Sequence, residues 1–149
     1  MTQLKTAIFI EQNFSTQDEV FHFLAEKAAT EGFTNDEEEV YTALVKREKE
    51  GTTGMMNGFA IPHGKSTAIT EPGILIVKLN QGIEWESMDG KPTNFILSML
   101  IPEVQKGEGH LKILSQVARM LMKEDISNEL KQATKAEEIE EIMNRQINF

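Results

Sequence analysis

Cysteine is absent from the 149 residues, so the protein has no disulfide bonds and no thiol chemistry of its own. Long apolar runs are also missing. The longest, residues 95–101, is interrupted by Ser98 and falls far short of the roughly 20 residues that span a bilayer. The N-terminal segment has too little charge and too short an apolar stretch for a secretion signal, so we expect a cytoplasmic protein.

Positive charge is scarce, because 15 Lys and Arg face 24 Asp and Glu and give a formal net charge of −9. Binding to nucleic acid requires Lys and Arg to displace counterions, so this balance argues against a nucleic-acid partner. Aromatic residues make up 7% of the chain and are not interleaved with basic ones, which argues against a single-strand stacking platform. Solubility explains most of the acidity, and attraction of basic partners is the alternative.

Periodicity and capping signals predict helices and strands that alternate along the chain. Thr16 and Glu19 form a capping box that starts a helix ended by Gly32, and a second helix runs from near Asn35 to Gly51. Further helices are predicted from His110, Asp125 and Thr134, strands at 8–10, 59–61, 74–79, 83–85 and 95–101, and turns at 80–82 and 89–90. We therefore expect one α/β domain over residues 1–149, with a mixed sheet between helices.

The most informative segment is the short run around His63, in which an apolar stretch ends at a proline and a histidine and glycine follow. Pro62 has a fixed φ and no N–H, and it favours an extended Ile61. Gly64 allows a turn and close approach of another molecule. We expect the chain to leave a strand and turn here, with the imidazole exposed. Such a ring can exchange a proton, bind a metal or accept a phosphoryl group, and a plain surface histidine is the alternative.

Four other residues are expected to converge on His63. Arg47 lies near the end of the second predicted helix, Thr52 and Thr53 lie in the following loop, and His110 begins a later helix. A helix N-terminus and a guanidinium both favour an anion, and a neutral imidazole beside them is suited to phosphoryl transfer. Each has a structural alternative. Arg47 can be an ordinary residue of the helix C-terminus, where the helix dipole favours a cation. The threonines can form hydrogen bonds with backbone groups of the turn, and His110 can be an ordinary helix residue.

In these motifs the chain resembles, over nearly its whole length, the fructose/mannitol-type IIA proteins of the bacterial sugar phosphotransferase system. The segments that carry the resemblance are Arg47-Glu48, Thr53-Gly54, Asn57-Gly58-Phe59-Ala60-Ile61-Pro62-His63-Gly64 and His110-Leu111-Lys112-Ile113-Leu114. One departure is Met55-Met56, where the family often has an aliphatic residue followed by glycine. These two methionines and Phe59 are candidates for the apolar centre of a docking surface, although Phe59 also fits the core.

The resemblance implies a mixed five-stranded sheet between helices and a phosphocarrier that needs no cofactor and no metal. It makes His63 the residue whose Nε2 accepts a phosphoryl group from the phosphohistidine of the carrier protein HPr. His63 then passes the group to a cysteine of a IIB component, for uptake of a sugar, fructose-like by default, through a membrane IIC component. It also implies that His110 supports the phosphate, that Arg47 clamps its charge, and that Thr53 and Asn57 are candidate members of the site.

Two other functions compete with sugar transport. Nitrogen-type regulatory IIA proteins are phosphorylated on the same histidine and act by binding other proteins, and the motif does not separate the two branches. A metal-binding module built from His63, His110 and a carboxylate is the third interpretation, but the closely spaced paired ligands typical of metal sites are missing.

Overall fold

The computed structural model describes residues 5–103 and 108–147, with the backbone alone for 108–111. The elements in chain order are β1 (Lys5–Gln12), α1 (Gln17–Thr30), α2 (Glu37–Glu50), β2 (Phe59–Ala60), β3 (His63–Ser66), β4 (Gly73–Ile83), β5 (Thr93–Pro102), α3 (Glu108–Met122), α4 (Glu124–Gln132) and α5 (Ala136–Gln146).

The strands form one sheet in the order β1, β4, β5, with β2 and β3 following one another along the free edge of β5. β4 and β5 are antiparallel, whereas β1 pairs parallel with β4 and both β2 and β3 pair parallel with β5. The prediction of a mixed five-stranded sheet is therefore confirmed.

Each face of the sheet carries its own hydrophobic core, so the sheet lies between two layers of helices. On β5, Ile96 and Leu100 pack with residues of α1 and α2, and Phe95 and Leu97 pack with residues of α3, α4 and α5. All four side chains are buried, and burial of each stabilises the fold by about 1.5–3 kcal/mol. This two-sided burial explains why the β5 sequence is apolar without alternation.

The helix starts follow the predicted capping chemistry in one case and differ by a residue or two in others. The capping box of Thr16 and Glu19 is confirmed at the start of α1. Asp125 lies within the first turn of α4 and does not cap it, since Lys123 occupies that position. The helix predicted from Thr134 begins at Ala136 as α5, and the carboxylate of Glu138 accepts the N–H groups of Thr134 and Lys135.

Two predicted turns are wrong. Residues 80–82 continue β4, and the irregularity there is a register shift between Lys78 and Ile83 against β5. His63 and Gly64 do not turn either, because they begin β3, where His63 pairs with Met99. A Cβ atom at Gly64 would lie 3.3 Å from the side chain of Ala43, which is a tight contact, so helix α2 packs closely over this strand.

The helices of residues 5–103 and 108–147 are all too short or too polar to cross a membrane.

Gly54 gives a test of the packing that positions the loop before β2. A Cβ atom at this residue would lie 2.1 Å from the carbonyl oxygen of Glu86 and 3.0 Å from the Cα atom of Ser87, and neither backbone atom can rotate away. We expect Gly54→Ala to lower the free energy of unfolding by about 1–3 kcal/mol in urea titrations, as overpacking does. Glu86→Ala is the control: it removes an exposed side chain but keeps the carbonyl, so its effect should stay within about 0.5 kcal/mol. Equal stability of Gly54→Ala and wild type would contradict the close approach.

Candidate functional site

The imidazole of His63 is held by a hydrogen bond at each ring nitrogen. Nδ1 lies 2.9 Å from the carbonyl oxygen of Ile61, and the Nε–H of Arg47 donates to Nε2 over 3.1 Å. His63 and Arg47 are both half-buried. The structure thus brings together two of the predicted site residues, which are 16 positions apart in the sequence.

These partners fix the tautomer of the ring. A carbonyl oxygen can only accept, so Nδ1 carries the hydrogen, and a guanidinium can only donate, so Nε2 keeps its lone pair. In this tautomer His63 is neutral, and Nε2 is the ring nitrogen that carries the available lone pair. This agrees with the expectation that the nitrogen opposite the reacting one is tied by a hydrogen bond.

Arg47 reaches the ring from the last turn of α2. Its Nη1–H donates to the carbonyl oxygen of Gly51, just beyond the helix, over 2.8 Å. The guanidinium is therefore anchored at one nitrogen while another faces His63. Because the guanidinium is planar and permanently charged, a positive charge stays within reach of Nε2.

The surroundings of His63 favour its uncharged form. Burial lowers its pKa below the ordinary value of 6.5, and the positive charge of Arg47 lowers it further. The hydrogen bond to Ile61 and the negative charges of Glu48 and Glu50 raise the pKa but do not reverse the shift. The unfolded chain therefore binds a proton at His63 more readily than the folded protein does. The contribution of the neutral ring to folding stability is complete above pH 6.5 and is lost as the pH falls through the lowered pKa.

The ring opens into a cleft of about 410 Å³ between α2, β3 and α3. Its charged lining groups are Lys46, Arg47, Glu50, Lys65 and Glu103, and its apolar ones include Ala43, Ile101 and Leu114. Among the described lining residues, three cations and two acids surround a neutral imidazole, which suits an anionic reactant. A larger cleft of about 560 Å³ lies between α1, α2 and the segment 84–86, and of the predicted site residues only Thr52 lines it.

The loop residues predicted for the site occupy supporting positions. Thr53 is buried, and both its N–H and its hydroxyl bond to Glu48. The hydroxyl of Thr52 bonds to the carbonyl of Glu86 and accepts from the N–H of Gly54, which fits the structural alternative. Asn57 has φ of 58° and donates its N–H to Asp89. No hydrogen bond joins Asn57 to the His63 ring within the described residues.

His110 is the third residue of α3, as predicted for a helix start, but its side chain lies outside the described residues. Leu114, four positions later, lines the His63 cleft. The role of His110 stays a prediction.

Burial decides between the two roles expected for Phe59. Phe59 is fully buried, so it belongs to the core and is not available for docking, whereas Met55 and Met56 are half-buried. Sequence reasoning gave no role to Glu48, although its carboxylate holds Thr53. The available signal was its position beside Arg47 at the end of α2, but helix periodicity does not reveal which loop atoms a carboxylate will meet.

The charge environment of His63 can be tested by NMR titration. In Arg47→Gln we expect the pKa of His63 to rise toward 6.5, because a positive charge that disfavours the imidazolium is gone. Lys49→Gln is the matched control, since it removes one charge from the same helical turn on a side chain that lines the other cleft. Following the Cε1–H resonance of His63 against pH gives both values. A pKa that does not move in Arg47→Gln would contradict the contact.

Comparison with known proteins points to one family. The family described as "Phosphoenolpyruvate-dependent sugar phosphotransferase system, EIIA 2" matches residues 3–146. The fructose-specific EIIA component of the phosphotransferase system of Haloferax volcanii is 33% identical over 136 residues, which cover 91% of this chain and 88% of that protein. A nitrogen regulatory protein of Bradyrhizobium diazoefficiens is 36% identical over 137 residues, 92% of this chain and 88% of that protein.

Solved structures of IIA proteins share the fold of this chain. Nitrogen regulatory protein IIA-Ntr from Neisseria meningitidis aligns with a TM-score of 0.84 and 28% identity, covering 91% of this chain and 92% of that one. The complex of mannitol IIA with phosphorylated mannitol IIB from Escherichia coli aligns with a TM-score of 0.76 over 93% of this chain and 94% of that one, and at 18% identity this is a likeness of fold. The chain belongs to the EIIA 2 family of the phosphoenolpyruvate-dependent sugar phosphotransferase system.

Proposed function

We propose that this protein is a phosphocarrier that accepts a phosphoryl group from phospho-HPr on Nε2 of His63. It passes the group to a cysteine of a IIB component and so serves the uptake and phosphorylation of a sugar, with a fructose-like sugar favoured. The observation that carries the proposal is the neutral imidazole whose Nδ1 is bound to Ile61 and whose Nε2 lone pair faces the guanidinium of Arg47. A cytoplasmic location is part of the proposal.

Phosphoryl acceptance by this ring is a balanced displacement. The Nε2 lone pair attacks the phosphorus of the donor phosphohistidine, the donor P–N bond breaks, and its electron pair returns to the donor imidazole. Nδ1 keeps its hydrogen, so the phosphorylated ring becomes cationic, and the carbonyl of Ile61 stabilises that charge through the existing hydrogen bond. In the second step a IIB thiolate attacks the phosphorus and the electron pair of the breaking P–N bond returns to Nε2.

Arg47 has to change partners during this cycle. Its Nε–H occupies the lone pair that attacks, so it leaves Nε2 when the phosphoryl group arrives and can then donate to a phosphoryl oxygen. The bond to Gly51 keeps the guanidinium close during this exchange. Positioning and charge stabilisation supply most of the catalysis in phosphoryl transfer, so one anchored cation fits the reaction. In this proposal His110 provides a second group beside the phosphate.

Sugar transport is supported by the fructose-specific relative, and a IIB partner by the mannitol IIA–IIB complex of the same fold. A regulatory role, in which phosphorylation of His63 controls binding to other proteins, is the second candidate. It is favoured by the nitrogen regulatory relative, whose 36% identity is similar to the 33% of the fructose-specific protein. Both candidates use the same phosphorylated histidine, so they differ in the step that follows.

The first step is tested by incubation with HPr, its phosphorylating enzyme and labelled phosphoenolpyruvate. We expect one label per chain on His63, with the lability to acid and stability to alkali of a phosphohistidine. His63→Gln should take up no label, because the nucleophile is gone. His110→Ala should keep some acceptance and lose onward transfer. Label that persisted in His63→Gln would refute the assignment of the acceptor.

Onward transfer separates the two candidate functions. The labelled protein is mixed with purified fructose-type and mannitol-type IIB proteins, each with its cysteine-to-serine variant as a control. A sugar-transport component should transfer its label to a IIB cysteine within seconds to minutes of mixing. A stable label with every IIB protein, together with a binding partner that distinguishes the two phosphorylation states, would favour the regulatory function.

A further inference from the structure

A second residue of α2 is connected to the ring of His63 through the backbone. One carboxylate oxygen of Glu48 accepts the N–H of Thr53 over 2.8 Å, and the other accepts the hydroxyl of Thr53 over 2.6 Å. Thr53 is 4% exposed and Glu48 is half-buried, so this bidentate bond is partly shielded from solvent. Hydrogen bonds to an ionised carboxylate are among the stronger ones in proteins, and two of them fix both the position and the orientation of Thr53.

The connection continues from Thr53 to the ring. The carbonyl of Thr53 accepts the N–H of Ile61 over 3.0 Å, and the carbonyl of Ile61 accepts from Nδ1 of His63 over 2.9 Å. The next residues of the loop reinforce this pairing, because Gly54 forms an antiparallel bridge with Ala60. The carbonyl of Ile61 therefore orients the imidazole, while the N–H of Ile61 is held by Thr53. Thr53 in turn is anchored by Glu48.

We propose that Glu48 is a positioning residue for phosphoryl transfer, which holds His63 in the Nδ1–H tautomer and directs Nε2 toward the donor through Thr53 and Ile61. The inference rests on the proposed function for its kinetic consequence. Its structural content is independent, because the tautomer of His63 can be measured without any phosphoryl donor. Arg47 and Glu48 are adjacent in α2, so one helical turn controls Nε2 directly and Nδ1 indirectly.

A positioning role makes a different claim from a charge effect. Glu48 and Glu50 both carry negative charge that raises the pKa of His63, and Lys46, Lys65 and Glu103 also line the cleft. Within residues 5–103 and 112–147, Glu48 is the side chain that bonds to the N–H and hydroxyl of Thr53. If charge alone mattered, removing the carboxylate of Glu48 or of Glu50 would have the same effect on His63. If positioning matters, only Glu48 is required, and a substitution that keeps its hydrogen bonds to Thr53 should keep its function.

Three variants separate these effects. Glu48→Ala removes both the charge and the bonds to Thr53. Glu48→Gln removes the charge, but its carbonyl can accept the N–H of Thr53 while its amide N–H₂ donates to the hydroxyl oxygen. Glu50→Ala is the matched control, since it removes a carboxylate from the same helical turn. Thr53→Val, with Thr53→Ser as its rescue, tests the same contact from the partner's side if Glu48→Ala fails to fold.

Two measurements are made on each variant. Long-range ¹H–¹⁵N correlation spectra of the histidine ring distinguish the Nδ1–H from the Nε2–H tautomer, and labelling from phospho-HPr gives kcat/KM for acceptance. Glu48→Ala should show an admixture of the Nε2–H tautomer and a kcat/KM reduced on the order of 10- to 100-fold, as expected for a misplaced nucleophile. Glu48→Gln should keep the wild-type tautomer and a rate near wild type. Glu50→Ala should keep the wild-type tautomer, and both variants should lower the pKa of His63.

The outcomes discriminate between the claims. A wild-type tautomer and rate in a folded Glu48→Ala would overturn the inference, and so would a Glu48→Gln as slow as Glu48→Ala. If the wild-type protein accepts no phosphoryl group, the proposed function fails, and the tautomer of Glu48→Ala still decides whether Glu48 positions the ring.

Discussion

The hydrogen bond between Nδ1 of His63 and the carbonyl oxygen of Ile61 is the constraint on which the site depends. It decides which nitrogen bears the hydrogen, which nitrogen is nucleophilic and which way the ring faces. A free imidazole would sample both tautomers and several orientations, and each unproductive state would reduce the fraction able to react. The bond spans two residues across Pro62, whose fixed φ limits the ways in which the chain can bend there.

Helix α2 supplies the remaining control. Its last turn presents a cation and an anion side by side, and they act on the ring by different routes. Arg47 faces Nε2 and disfavours protonation, whereas Glu48 offsets part of that charge and secures the loop that leads to Ile61. The close packing of Ala43 against Gly64 keeps the helix near the strand that carries the ring. The geometry of the nucleophile is therefore tied to the packing of a helix on a strand.

Much of this arrangement could be predicted from the sequence, because strong local signals agree with the final fold. The capping box at Thr16, the long apolar run of β5 and the pairing of Arg47 with His63 are examples. The two wrong turns share one cause, which is that local turn signals are overridden by pairing with distant strands. Gly64 was expected to turn but lies extended against β5, and residues 80–82 form an irregular part of β4. Glu48 was missed because its partner, Thr53, is fixed only by the folded loop.

The break between β2 and β3 has a further consequence. Pairing with β5 keeps the same register on both sides of the break, so the free edge of the sheet runs through Ile61. At this edge the N–H of Ile61 donates to the carbonyl of Thr53. The carbonyl of Ile61 accepts from the imidazole of His63, in the place of a donor from a further strand. Unpaired edge groups invite edge-to-edge association between molecules. Substitution of His63 therefore removes the donor to the carbonyl oxygen of Ile61 at a sheet edge as well as the imidazole itself.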